Sequence, residues 1–167
     1  MKAIVYTSEN GHTAEYAQIL GKKTGLCVYE LGEAVKKLEK GSPVIYLGWL
    51  FANGVKGYKK ANKFFEISAV GAVGLCDTGT AVAEVKKANG MPESMPLFTM
   101  QGGMDKTKLK GINKFMIKML IKFMVQKKDK TEDDERMIYL LNNDKNYVCE
   151  ENTSAFMEWY GVRGEQK

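Results

Sequence analysis

The stretch Lys2-Ala3-Ile4-Val5-Tyr6-Thr7-Ser8-Glu9-Asn10-Gly11-His12-Thr13-Ala14-Glu15-Tyr16-Ala17 decides the fold. Residues 2–6 are a β-prone run. From Ala14 the apolar spacing turns helical, with Tyr16, Ala17, Ile19 and Leu20 on adjoining positions and an end near Gly21. Turn and capping residues fill the interval between the two. A strand passing through a short loop into a helix is the opening of a βα unit.

The alternation continues downstream. A second strand fits 26–31 and a short helix 33–39. Pro43-Val44-Ile45-Tyr46-Leu47-Gly48 is almost wholly apolar, as a strand covered on both faces must be. A loop at 49–54, a helix at 57–65 and a strand at 69–76 follow, broken by Asp77-Thr78-Gly79. Helix to Asn89, loop at 90–95 and a fifth strand at 96–100 complete a pattern that calls for a parallel sheet with helices on both faces. Residues 105–126 then read as one long helix, 127–135 as a charged stretch, 132–141 as a further helix and 142–152 as an irregular link. A closing helix fits 153–160. With no internal repeat or low-complexity tract, residues 1–167 form a single domain in which 105–141 is a helical elaboration.

Composition sets broad bounds. Apolar residues at 44% and charged residues at 27% are ordinary globular usage, and a chain of 167 residues has enough core to fold without staples. Cys27, Cys76 and Cys149 lie far apart, with no CxxC pair and no Cys/His cluster. That argues against a zinc site and a disulfide framework, and for a reducing compartment. The first residues lack the basic-then-apolar order of a signal peptide, and no apolar run approaches membrane-spanning length. A cytoplasmic protein is expected. The net charge of +5 favours anionic partners.

The chemical signal is concentrated in Ser8-Glu9-Asn10-Gly11-His12-Thr13. A phosphate monoester needs several donors converging on its oxygens. Loop amides and a helix N-terminus supply them with favourable polarity. Ser8, Asn10 and Thr13 add short polar side chains, and Gly11 lets the backbone come close. No lysine or arginine lies in the loop, and both the Walker and the GxGxxG patterns are absent. From the residues alone, a plain strand-to-helix turn with Thr13 as N-cap accounts for the loop equally well.

The loop resembles the Ser/Thr-x-Thr-Gly-x-Thr phosphate loop of flavodoxins. Ser8, Gly11 and Thr13 match; Asn10 stands where the family usually has Thr, and His12 where Asn is common. The resemblance implies a flavodoxin-like three-layer α/β sandwich. Its five-stranded parallel sheet has order 2-1-3-4-5, with helices on both faces and an extra helical segment after the fifth strand. It also implies FMN as cofactor, its phosphate held by Thr7, Ser8, Glu9, Asn10, Gly11, His12 and Thr13. Ligands of such sheets sit beyond the strand carboxyl ends where the order reverses. The rest of the FMN site is therefore expected in Trp49, Leu50, Phe51, Ala52, Asn53 and Gly54, and in Cys76, Asp77, Thr78 and Gly79. Trp49 and Phe51 would stack on the flavin or pack under their own loop. Asn53-Gly54 would bring backbone to the reactive edge, and Asp77-Thr78-Gly79 would meet the pyrimidine end. Cys76 is expected to be a buried strand-end residue. His12 is expected beside the phosphate or in solvent rather than as a proton shuttle. No catalytic acid or base stands out.

Lys110, Lys114, Lys118 and Lys122 recur every four residues as one stripe on the long helix. Leu109, Ile112, Met116, Met119, Leu120 and Phe123 are expected on the opposite side, widened by Ile117, Ile121, Met124 and Val125. Such a helix suits two buried sides, an anionic membrane surface, a partner held by a Met-rich face, or a solvated cover. Gly102-Gly103-Met104-Asp105, Lys114-Phe115-Met116-Ile117-Lys118 and Met119-Leu120-Ile121-Lys122-Phe123-Met124 look like the corresponding stretch of menaquinone-dependent protoporphyrinogen oxidases. Those are FMN-bound, membrane-associated enzymes with a quinone acceptor. The expected function is an FMN redox protein whose partner is a redox protein or a quinone, peripheral to the inner face of an anionic membrane. The alternatives are a protoporphyrinogen oxidase-like flavoenzyme and a non-redox protein- or membrane-binding module. Nucleic acid is not an expected partner.

Overall fold

In the computed structural model the described residues are 1–109 and 111–164. The chain runs β1 (Ala3–Thr7), α1 (His12–Thr24), β2 (Cys27–Glu30), α2 (Leu31–Lys37), β3 (Pro43–Phe51), β4 (Gly54–Val55), α3 (Tyr58–Phe64), β5 (Glu66–Gly74), α4 (Val82–Asn89) and β6 (Leu97–Gln101). It continues through β7 (Gly103–Met104), α5 (Gly111–Gln126), α6 (Glu132–Asn142), β8 (Lys145–Asn146), a 3-10 turn at Glu151–Thr153 and α7 (Ser154–Gly164). The result is an α/β fold around a mostly parallel sheet.

In that sheet β1 pairs in parallel with β2 and β3, β3 with β5, and β5 with β6. The two sheet faces carry separate cores. Val5, Val44, Tyr46, Val70 and Ala72 pack against Leu31 and Ala34 of α2, Tyr58 and Ala61 of α3 and Val85 of α4. Ile4, Ile45, Leu47 and Met100 pack against Tyr16, Ala17 and Leu20 of α1 and Phe156 of α7. Each large apolar side chain so buried contributes roughly 1.5–3 kcal/mol, which is why the central strands read as unbroken apolar runs.

Local chemistry sets the helix ends. Gly25, left-handed at φ 71°, returns its N–H to the Gly21 carbonyl and stops α1, whose last turn carries Lys22 and Lys23. Thr131 and Asp134 exchange side-chain-to-backbone hydrogen bonds as a capping box and start α6. Glu30 accepts the Gly32 N–H, so the chain leaves β2 for a helix sooner than its apolar pattern suggests.

Three departures from the sequence reading bear on function. The expected loop at 49–54 is mostly strand: β3 runs on to Phe51 and folds back through Ala52 and Asn53 into β4. Both turn residues have positive φ, 46° and 61°, as a two-residue hairpin turn requires. The long helix begins at Gly111, because Asp105 accepts the Thr107 N–H and hydroxyl and holds 105–108 as a turn. The link at 142–152 contains β8, which pairs antiparallel with β7 as Gly103↔Asn146 and Met104↔Lys145. Between these two short strands, α5 and α6 lie over the carboxyl end of the sheet. There Ile117 and Leu141 pack with Met104 and Leu109 above Phe51 and Leu75. No helix among the described residues is long and apolar enough to cross a membrane.

Candidate functional site

The loop after β1 is shaped by two residues. Gly11 takes φ 97°, and its N–H donates to the Ser8 hydroxyl at 3.1 Å. Gly11, not Thr13, is the N-cap of α1; Thr13 lies in the first helical turn and is only 2% exposed. No side chain caps this helix. Its first amides, which have no intrahelical acceptor, thus gain none from an N-cap side chain and carry the positive end of the helix dipole. Beside them the Asn10 amide nitrogen donates to the Met104 sulfur at 3.6 Å, while its Oδ1 is buried without a partner. Such an atom costs about 1–3 kcal/mol unless a ligand or water satisfies it.

His12 is buried rather than in solvent, at 8% exposure. Burial pushes its pKa below 6.5, Lys108 adds to that effect, and Glu15 and Asp105 oppose it. Its ring sits against the glycine pair after β6. A Cβ on Gly103 would lie 3.0 Å from His12 Nε2 and would strike the Lys145 carbonyl, so only glycine lets the β7–β8 ribbon close here.

These elements enclose a crevice of about 260 Å³ at the carboxyl ends of β1, β3 and β5. Asn10, His12 and Thr13 form one wall, the β3–β4 hairpin a second, and the segment Gly74 to Asp77 a third. Ala72, Val73, Thr99 and Met100 form the floor. The roof is Met116, Ile117, Leu120 and Met124 of α5 with Met137 and Leu141 of α6. Trp49 and Phe51 meet edge-on, ring centroids 6.3 Å apart, with the Lys56 ammonium 5.4 Å and 5.1 Å from them. Pockets of this kind, apolar with a few convergent polar groups, are the usual ligand sites of open α/β sheets.

Of the residues singled out from the sequence, Glu9, Asn10, His12, Thr13, Trp49, Leu50, Phe51, Ala52, Asn53, Cys76 and Asp77 line this crevice. Six others support it from behind. The Thr7 hydroxyl is 2.9 Å from that of Tyr46. Ser8 and Gly11 brace their own loop, and Gly54 pairs with Phe51 in the hairpin. Thr78 Oγ1 accepts the Gln101 N–H and the Gly79 N–H donates to the Thr99 carbonyl, both at 3.0 Å, fastening this turn to β6. The Asn53 carbonyl is held by the Asn89 amide at 2.9 Å. Cys76 is exposed rather than buried, because β5 ends at Gly74. Desolvation at the crevice rim, with Asp77 beside it, pushes its thiol pKa up, and Arg136 opposes the shift. In the sequence the roof residues of α5 read as an unusually wide apolar surface over 109–125 and not as part of the site. Among the described residues, no group of three or more His, Cys, Asp or Glu is placed to hold a metal ion.

The outer side of α5 differs from expectation. Its apolar residues divide into an inward face (Ile117, Leu120, Ile121, Met124) and an outward one. Ile112, Phe115, Met119 and Phe123 stand exposed at 73%, 63%, 49% and 73%. Lys114, Lys118 and Lys122 are exposed along one flank of this outward stripe; Lys110 lies outside the described residues. In comparisons with known proteins, no family model, no curated protein and no solved structure matches the chain.

Proposed function

We propose that the chain is a flavodoxin-like FMN-binding redox protein, with the cofactor's phosphate at the loop after β1 and its ring in the crevice. One observation carries the reading: an uncapped helix start, with Asn10 and its partnerless buried oxygen beside it, borders an apolar, aromatic-walled crevice at the strand carboxyl ends. The donor set suits the cofactor part by part. The first amides of α1 and the hydroxyl of Thr13 offer neutral donors to a phosphate. Asn10 Oδ1 needs a donor, which a ribityl hydroxyl is. Trp49, Phe51 and the methionines of the roof offer apolar cover to a flat ring system.

The strand pairing supports the same reading. Counting only parallel strands, the order is β2-β1-β3-β5-β6, which corresponds to 2-1-3-4-5. In that order the reversal falls between β1 and β3, the strands whose loops flank the crevice. When bound, the flavin supplies the electron chemistry; the chain binds it, orients it and keeps water from it. No side chain of the crevice is required as an acid or base.

The outward face of α5 favours an anionic bilayer as the docking surface. Its exposed phenylalanines and methionine match the acyl boundary, and the flanking lysines match the headgroups. That placement, in the cytoplasm at the inner membrane face, favours a quinone acceptor and a protoporphyrinogen oxidase-like activity as the second reading. A redox protein is the alternative partner.

The test is the absorbance spectrum of the purified protein, followed by FMN titration and anaerobic reduction. A flavin spectrum that bleaches on reduction is expected. A colourless protein that takes up no FMN would remove the reading and leave a binding module. Porphyrinogen-dependent quinone reduction would single out the oxidase.

A further inference from the structure

The loop after β1 contains no cation, but the fold brings one to it. Lys108, in the turn between β7 and α5, is 98 positions from Asn10 in sequence. Its ammonium donates to the Asn10 carbonyl at 3.4 Å and would lie 3.5 Å from a Cβ on Gly11. It therefore stands at the Asn10–Gly11 backbone of the loop. Asp105 sits 3.3 Å from the same ammonium. The Thr107 N–H and hydroxyl hold its Oδ1, which leaves Oδ2 to pair with the lysine and orient it from the side of its own turn.

Charge decides what this adds. Amides, hydroxyls and the positive end of the helix dipole already favour an anion over a sugar hydroxyl, and a cation adds a full charge that an uncharged group does not feel. We infer that Lys108 is the specificity-determining residue of this site, selecting a flavin that carries a terminal phosphate over its dephosphorylated form. The inference rests on the FMN reading above and names the residue by which that site would recognise the phosphate. Because the lysine is about half exposed, solvent and salt screen it, and its effect is selective rather than all-or-none.

The experiment titrates FMN and riboflavin separately into the full chain and into Lys108→Gln and Lys108→Arg, following flavin fluorescence at low and at physiological salt. Lys108→Gln should weaken FMN roughly three- to tenfold, leave riboflavin unchanged and flatten the salt dependence of FMN binding. Lys108→Arg should restore most of the loss. An equal loss for both flavins would show that Lys108 merely braces the Asn10 carbonyl and would overturn the inference, as would no loss at all. Wild-type protein that takes up neither flavin would remove the FMN reading itself, a result distinct from FMN binding that ignores position 108.

Discussion

Arg136 of α6 and Asp77 of the segment after β5 form an ion pair at 2.5 Å across 59 positions of sequence. The pair joins the roof of the crevice to one of its walls. Both side chains are about half exposed, so it adds little to global stability and is weakened by salt. Arg136→Gln should leave the urea midpoint almost unchanged. It should quicken amide exchange in α5 and α6 and speed the release of any bound flavin. Hydrogen-exchange mass spectrometry reads the first effect and stopped-flow fluorescence the second. Unaltered exchange in both helices would mean that packing alone holds the roof.

Thr13 is buried in the first turn of α1, at the centre of the proposed phosphate site. Thr13→Glu should abolish FMN binding by setting a carboxylate against the phosphate. Thr13→Val, which removes only one donor, should weaken it by roughly tenfold. Circular dichroism checks that both variants fold. Undiminished affinity in a folded Thr13→Glu protein would place the phosphate elsewhere.

His12 is the only histidine, so its ring signals are unambiguous in a proton NMR titration. In the free protein its pKa should fall below 6.5, because burial disfavours the imidazolium. The sign follows for stability. A depressed histidine contributes stability that is present above pH 6.5 and lost as pH falls from there through the folded-state value. Saturation with FMN should raise the His12 pKa, since a neighbouring phosphate favours the charged ring. No movement would separate the phosphate from this loop.

Phe115 and Phe123 are exposed on the outward face of α5, at 63% and 73%, and neither supports the core. Replacing both with Glu should leave thermal unfolding unchanged and abolish co-sedimentation with vesicles rich in anionic lipid. Lys118→Gln should weaken that binding several-fold, and raised salt should do the same to the wild type. Wild-type protein that ignores anionic vesicles would return this face to a protein partner or to solvent.

The alternation of apolar strands and amphipathic helices was legible because β1, β3 and β5 are buried on both faces and their neighbours on one. What misled was glycine. Gly48 reads as the end of a strand, yet it lies inside β3: a Cβ there would fall 2.6 Å from both the Lys56 carbonyl and Val55 Cγ1. It permits close approach of the returning hairpin, and periodicity cannot tell that from a break. Strands β7 and β8, two residues each, are too short to carry a pattern at all. The polar wall of the crevice was legible, since residues 8–13 are local in sequence. Lys108 was not, because tertiary packing alone sets it beside Asn10.

Gly103 and Met104 leave the core paired with Asn146 and Lys145, which return to it. The forty residues between are thus a detour with a common doorway. Its length and content can change while the strands beneath keep their neighbours. Those same forty residues supply the ceiling of the crevice and its outermost apolar face. Exchanging the detour would therefore retune what reaches the crevice, and where the molecule is tethered, on an unchanged sheet.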